Sequence, residues 1–314
     1  MSQIKSTFSG PRPLTENRNP ASTLIDRLPL ESVVDVFIDQ DRRVAEAVSL
    51  CREPIARAVE LIVGRLRHNG RLVYLGAGTS GRLGILDASE CPPTFGVSAD
   101  LVIGLIAGGE RAVTNAVEGA EDDGDAAVTD LKQVRFGADD VLVGVSASGV
   151  TPYVRSGLAY ARSQGGGAIL LTCNPHGPFP ETDVLLNPIV GPEVITGSTR
   201  LKSGTACKMV LNMLSSITMI RLGKVYQNLM VDVKATNRKL QWRSVQIVAE
   251  GSGLAFEQAE QILADCQGEV KTAIVAARLG LTPAQARVEI EKCQGVLYKA
   301  LKESDIFAPA NPMG

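Results

Sequence analysis

Histidine is almost missing from this 314-residue chain: there are two, His68 in a polar RHNGR stretch and His176 in a proline-rich NPHGP loop. A histidine-based zinc site or a serine–histidine triad needs imidazole beside other specific groups, so neither is expected. Carboxylates are left to carry any acid–base chemistry. A charge surplus is missing too: 32 Lys and Arg against 34 Asp and Glu give a net charge of −2, with both signs mixed along the chain. Nothing in that balance pulls towards nucleic acid or an anionic membrane. No uninterrupted apolar run reaches the ~18 residues that span a bilayer, and the opening stretch MSQIKSTFSGPRPLTENRNP has no apolar signal core. The six cysteines, Cys51, Cys91, Cys173, Cys207, Cys266 and Cys293, never fall in C-x-x-C spacing. They read as buried reduced thiols, which fits the cytoplasm.

What is present is ample apolar residue, 45% of the chain, in patterns that alternate between two periods. Residues 1 to about 22 are polar, with prolines at 11, 13 and 20, and read as a flexible arm over the body or a partner. Leu30 to Leu66 shows helical spacing. Continuous apolar runs at Val73–Leu75, Leu101–Ile106, Val141–Val145, Ala168–Thr172 and Val184–Val190 read as strands. Helical patterns at Glu110–Glu118, Ala126–Val134 and Pro152–Ser163 separate them. Runs of this kind between helices mark an α/β fold with a parallel five-stranded sheet covered on both faces. Arg200–Leu222 is a long helix whose Met and Leu stripe suits a subunit interface. After Arg243 strand-like runs cease, and short helices split by glycine imply a small helical bundle, so domains are expected at 1–245 and 246–314.

The most informative stretch is RLVYLGAGTSGRLGILDASECPP, Arg71 to Pro93. A buried strand leads through Gly76 and Gly78, which free the backbone for a tight turn, into Thr79, Ser80 and Gly81 at a helix start. Unpaired N–H groups and the helix dipole there favour an anion, and a phosphate fits. The letters also satisfy GxGxxG, but a dinucleotide fold expects an acidic residue about 20 positions on, at the end of the next strand. That strand ends in Ala107, Gly108 and Gly109. A sugar phosphate is therefore the better ligand.

SASGVT, Ser146 to Thr151, repeats this logic: strand, small hydroxyl residues, glycine, helix start at Pro152. For any single serine, capping its own helix is the simpler explanation. Two such loops at the carboxyl ends of parallel strands shift the balance towards one shared phosphate among Ser80, Ser146, Ser148 and Thr151. Glu90 precedes Cys91, Pro92 and Pro93, and a proline disfavours helical geometry before it, so the helix should stop near Glu90. Glu121 lies in EGAEDDGD, where local pattern alone reads as a solvated acidic loop, with a magnesium site a further option.

The segments LGAGTSGRLGILDASECPPTFG, GLIAGGERAVTNAVEGAEDD, VGVSASGVTPYV and GSTRLKSGTACKMVLNMLS together resemble the N-acetylmuramic acid 6-phosphate etherases of bacteria. The resemblance runs from TENRNPAST to the C-terminal helices, with departures at Leu201, Ser203 and Cys207, where Met, Ala and Gln are expected. It implies a sugar isomerase (SIS) domain, a small ubiquitin-associated-like bundle, and hydrolytic cleavage of the D-lactyl ether to N-acetylglucosamine 6-phosphate and D-lactate. By the same likeness Glu90 is the proton donor and Glu121 the base at C2. Gly78, Thr79, Ser80, Ser146, Ala147, Ser148, Gly149, Thr151, Ser198 and Lys202 bind substrate. No metal or redox cofactor is implied, and the partners are a small-molecule sugar phosphate and a second copy in a homodimer. Glu90 is expected to have a raised pKa from an apolar setting beside Cys91 and Pro92. Alternatives are an aldose–ketose isomerase on the same fold and a non-catalytic sugar-phosphate-sensing regulator. A straight helix from Gly81 to Glu90 would put its ends ~15 Å apart, so either the helix breaks early or Glu90 serves a neighbouring chain's site, and the second is the preferred expectation.

Overall fold

The computed structural model describes residues 12–175, 177, 179–233 and 238–304. Residues 1–11 of the expected arm and His176 lie outside the described residues. Packing divides the chain into two units, Met1–Glu90 with Ser98–Thr218, and Cys91–Val97 with Met219–Gly314.

In the first unit, helices α1 (Leu30–Ser49) and α2 (Arg52–Leu66) precede a classical alternation of strand and helix. It runs β1 (Leu72–Gly76), α3 (Gly78–Phe95), β2 (Val102–Ile106), α4 (Arg111–Thr114), α5 (Gly124–Gln133), β3 (Val141–Val145), α6 (Pro152–Ser163), β4 (Gly167–Leu171), β5 (Val184–Leu186) and α7 (Lys202–Arg221). All five strands are parallel, in the order β2-β1-β3-β4-β5. β1, β3 and β4 are buried along their whole length, as strands covered on both faces must be. One face packs Val73, Leu75, Leu142 and Leu170 against Leu131 of α5 and Val154 and Leu158 of α6. α2 packs on β3, β4 and β5, with Leu61 beside Gly167.

Residues 12–22 form short turns fastened to the unit rather than a loose arm. Thr15, Asn19 and Ser22 are buried. The Leu14 N–H donates to Asn174 Oδ1 (3.2 Å), Asn19 Nδ2 to Gln40 Oε1 (2.7 Å) and the Pro192 carbonyl (3.0 Å), and Ser22 Oγ to the Val194 carbonyl (2.7 Å).

Three elements differ from expectation. α3 does not stop near Glu90 but continues through Pro92 and Pro93 to Phe95. The prolines delete donors only in its last turns, the Gly96 N–H closes on the Pro92 carbonyl (2.9 Å), and burial of Cys91 and Phe95 outweighs the local penalty. α4 covers four residues instead of the span to Glu118, because Asn115 turns extended and Arg82 takes the carbonyls of Val113 (2.8 Å) and Asn115 (2.9 Å). β5 ends at Leu186.

The second unit contains α8 (Arg238–Ser252), α9 (Phe256–Asp265), α10 (Val270–Leu279), α11 (Pro283–Lys292) and α12 (Leu297–Ala300). Val245, Val248, Ala259, Ile274, Ala286 and Leu297 are in its core. Thr282 caps α11, with Gln285 returning the bond and Pro283 in the first turn.

Candidate functional site

Gly76 at the end of β1 is in register with Val145 at the end of β3, so the loops that follow them start side by side. Between them opens a cleft of about 1050 Å³ lined by Ala77, Gly78, Thr79 and Ser80 from the first loop and by Ser146, Ala147, Ser148, Val150 and Thr151 from the second. Ligands in open α/β sheets sit at this carboxyl end. Gly78 has a φ of 51°, which turns the chain into α3 with its first N–H groups unpaired along the helix ladder.

The second loop is held by its own hydroxyls. Ser146 Oγ pairs with Thr151 Oγ1 (2.8 Å) and accepts the Gly149 N–H (3.0 Å). The Thr151 side chain makes no capping bond to α6, so simple helix capping does not account for these residues. Gly149 has a φ of 75°, and a Cβ there would lie 2.9 Å from Thr172 Oγ1. It shapes the loop without itself lining the cleft. Asn174 ties the loop to the N-terminal strap, donating to the Ser148 carbonyl (3.0 Å) and accepting from the Leu14 N–H.

Glu121 stands in the short turn Ala120–Asp122 and lines the same cleft with Asp122. It is joined there by Arg12, Pro13 and Glu16 of the strap, which sequence reasoning missed. A signal existed: closely spaced prolines among polar residues lower the entropy lost on ordering, so PRPLTENRNP is a poor candidate for a free tail. Glu16 rests against Gly197, whose φ of 75° and missing side chain leave it room.

Other expected site residues lie elsewhere. Gly197 and Thr199 line the cleft, whereas Ser198 between them does not. Lys202 is 1% exposed, and its ammonium donates to Gln40 Oε1 (2.9 Å) and the Val190 carbonyl (2.8 Å). Burial lowers its pKa, while nearby Glu193 opposes the shift. Glu193 is itself buried at the start of α7, accepting the N–H groups of Lys202 and Ser203 (2.9 Å each). These groups hold the strap and α7 in place, and neither Lys202 nor Glu193 lines the cleft. Glu90 is exposed, outside the cleft, so the apolar setting expected for it is absent in this chain.

One turn before Glu90, buried Asp87 accepts from Tyr74 Oη (2.8 Å), Asn212 Nδ2 (2.7 Å) and Ser215 Oγ (3.1 Å). Burial raises its pKa against the pull of those donors and of Lys208. Among the described residues, no group of three or more His, Cys, Asp or Glu is placed to hold a metal ion.

Residues 54–162 match the family described as the glucokinase regulatory protein N-terminal SIS domain. A protein of Salmonella dublin named N-acetylmuramic acid 6-phosphate etherase is 52% identical over 290 residues, covering 92% of this chain and 98% of its own. One of the same name from Rhodopirellula baltica is 53% identical, covering 91% and 95%. Among solved structures, a phosphoheptose isomerase from Neisseria gonorrhoeae superposes with a TM-score of 0.45 at 23% identity, covering 60% of this chain and 97% of that one.

Proposed function

The chain belongs to the N-acetylmuramic acid 6-phosphate etherase family, and on that premise we propose how its cleft cleaves the D-lactyl ether of N-acetylmuramic acid 6-phosphate. The products are N-acetylglucosamine 6-phosphate and D-lactate, a step in recycling cell-wall sugar. The observation that carries the reading is the convergence of both hydroxyl loops and Glu121 on one cleft.

The 6-phosphate lies at the first turn of α3 and in the Ser146–Thr151 loop, where N–H and hydroxyl donors meet its oxygens. Ring opening exposes the C1 aldehyde, which acidifies the C2 proton. Glu121 takes that proton, and a carboxylic acid gives one to the ether oxygen as the C3–O bond breaks. Lactate departs, leaving an unsaturated aldehyde. Water then adds its oxygen to C3, and a proton returns to C2. General acid–base transfers of this kind contribute about 10²–10⁴-fold each.

Glu90 supplies the acid to the active site of a second copy. Along α3 it is ten residues from Ser80, ~15 Å at 1.5 Å per residue, too far for one small sugar. Isologous dimers are the commonest assemblies, and in such a pair each site receives its partner's Glu90. Five of the six cysteines are buried, which supports a reducing cytoplasm.

Incubation with N-acetylmuramic acid 6-phosphate in ¹⁸O-water is expected to give lactate without label and N-acetylglucosamine 6-phosphate labelled at O3. No lactate, or label in lactate, defeats the proposal.

A further inference from the structure

Among the described residues that line the cleft, the charged groups are Arg12, Glu16, Glu121 and Asp122, a single cation among three carboxylates. The donors of the two hydroxyl loops are neutral. A substrate with a phosphate at one end and a lactyl carboxylate on C3 brings two anions into this setting. The helix start and hydroxyls can satisfy the phosphate. A second carboxylate beside Glu121 and Asp122 is favoured by a counter-charge, since like charges at close range oppose each other.

We infer that Arg12 is the specificity residue that recognises the lactyl carboxylate, a role that rests on the etherase reading above. Its side chain is exposed to the cleft and has no hydrogen-bond or ion-pair partner among the described residues. Two residues on, the Leu14 N–H is held by Asn174, which also holds the Ser148 carbonyl, so the strap and the phosphate loop share one anchor. Buried Pro13 lies between them and restricts the backbone. A guanidinium presents a planar fork that matches a carboxylate bidentately.

The test compares wild type, Arg12→Ala and Arg12→Lys on N-acetylmuramic acid 6-phosphate and on its lactamide, in which the carboxylate is a neutral amide. Inhibition by inorganic phosphate is measured alongside. Wild type is expected to prefer the acid by about 10- to 100-fold in kcat/KM, the range of a hydrogen bond to a charged group. Arg12→Ala should lose that preference while keeping its rate on the amide and its inhibition by phosphate, and Arg12→Lys should retain part of it. An equal loss on both substrates, no loss on either, or weakened phosphate inhibition overturns the assignment. A wild type that releases lactate from neither substrate removes the etherase reading and this inference with it.

Discussion

Asp87 is a carboxylate held by three side-chain donors, yet burial leaves its pKa above the usual carboxylate value. A raised folded-state pKa contributes stability that is complete below the unfolded value and is lost as pH rises through the folded one. Tyr74→Phe removes a donor that opposes the rise, so it raises the pKa further and enlarges that loss. Its destabilisation should therefore grow with pH, from under about 1.5 kcal/mol near pH 3.5 to about 1.5–3 kcal/mol near pH 7. Denaturant titrations of both proteins across that interval measure the difference, and a constant gap contradicts the network's role. None of this was legible in the sequence, because Tyr74, Asp87, Asn212 and Ser215 meet only through the fold. Glu121 shows the opposite case: its acidic loop reads locally as solvated, and only the family likeness marked it before the cleft placed it beside both loops.

Elements were legible where apolar runs were long. β1, β3 and β4 lie within a residue of the expected spans because each is buried throughout, and β5 is short because apolar character outlasts pairing with β4. Helix ends were harder, since distant side chains decide them. Arg82 terminates α4 from about thirty residues away, and packing carries α3 through two prolines that local rules treat as a stop. The polar arm was expected over the body or a partner, but the contacts that fasten it were not legible for the same reason: its partners, Gln40, Asn174, Pro192 and Val194, are all remote in sequence. Lys202 joins this network through Gln40. Lys202→Met leaves the Val190 carbonyl without its ammonium donor, and should cost about 3 kcal/mol. A lowered thermal midpoint with kcat retained below it is the expected outcome; an unchanged midpoint with lost substrate binding would return Lys202 to the ligand.

At the scale of the whole molecule, no described helix is long and apolar enough to cross a membrane. The small C-terminal helices have their own core, and the sheet-bearing unit holds every residue that lines the cleft. The Met and Leu stripe of α7 divides in two. Ala206, Val210 and Leu214 are buried, whereas Met209, Met213 and Ile217 are only half-buried and suit contact with a second copy. The central claim is that one catalytic site takes Glu121 from one chain and Glu90 from another. Co-expression of Glu121→Gln and Glu90→Gln chains tests it, because each homodimer should be at least 100-fold impaired. A mixed dimer would then contain one intact site and one doubly altered site. If the acid is shared, a random equal mixture should recover about one quarter of wild-type lactate release, as an isologous pair requires. Recovery no greater than that of the separate variants would place both glutamates in one chain's site and contradict the account.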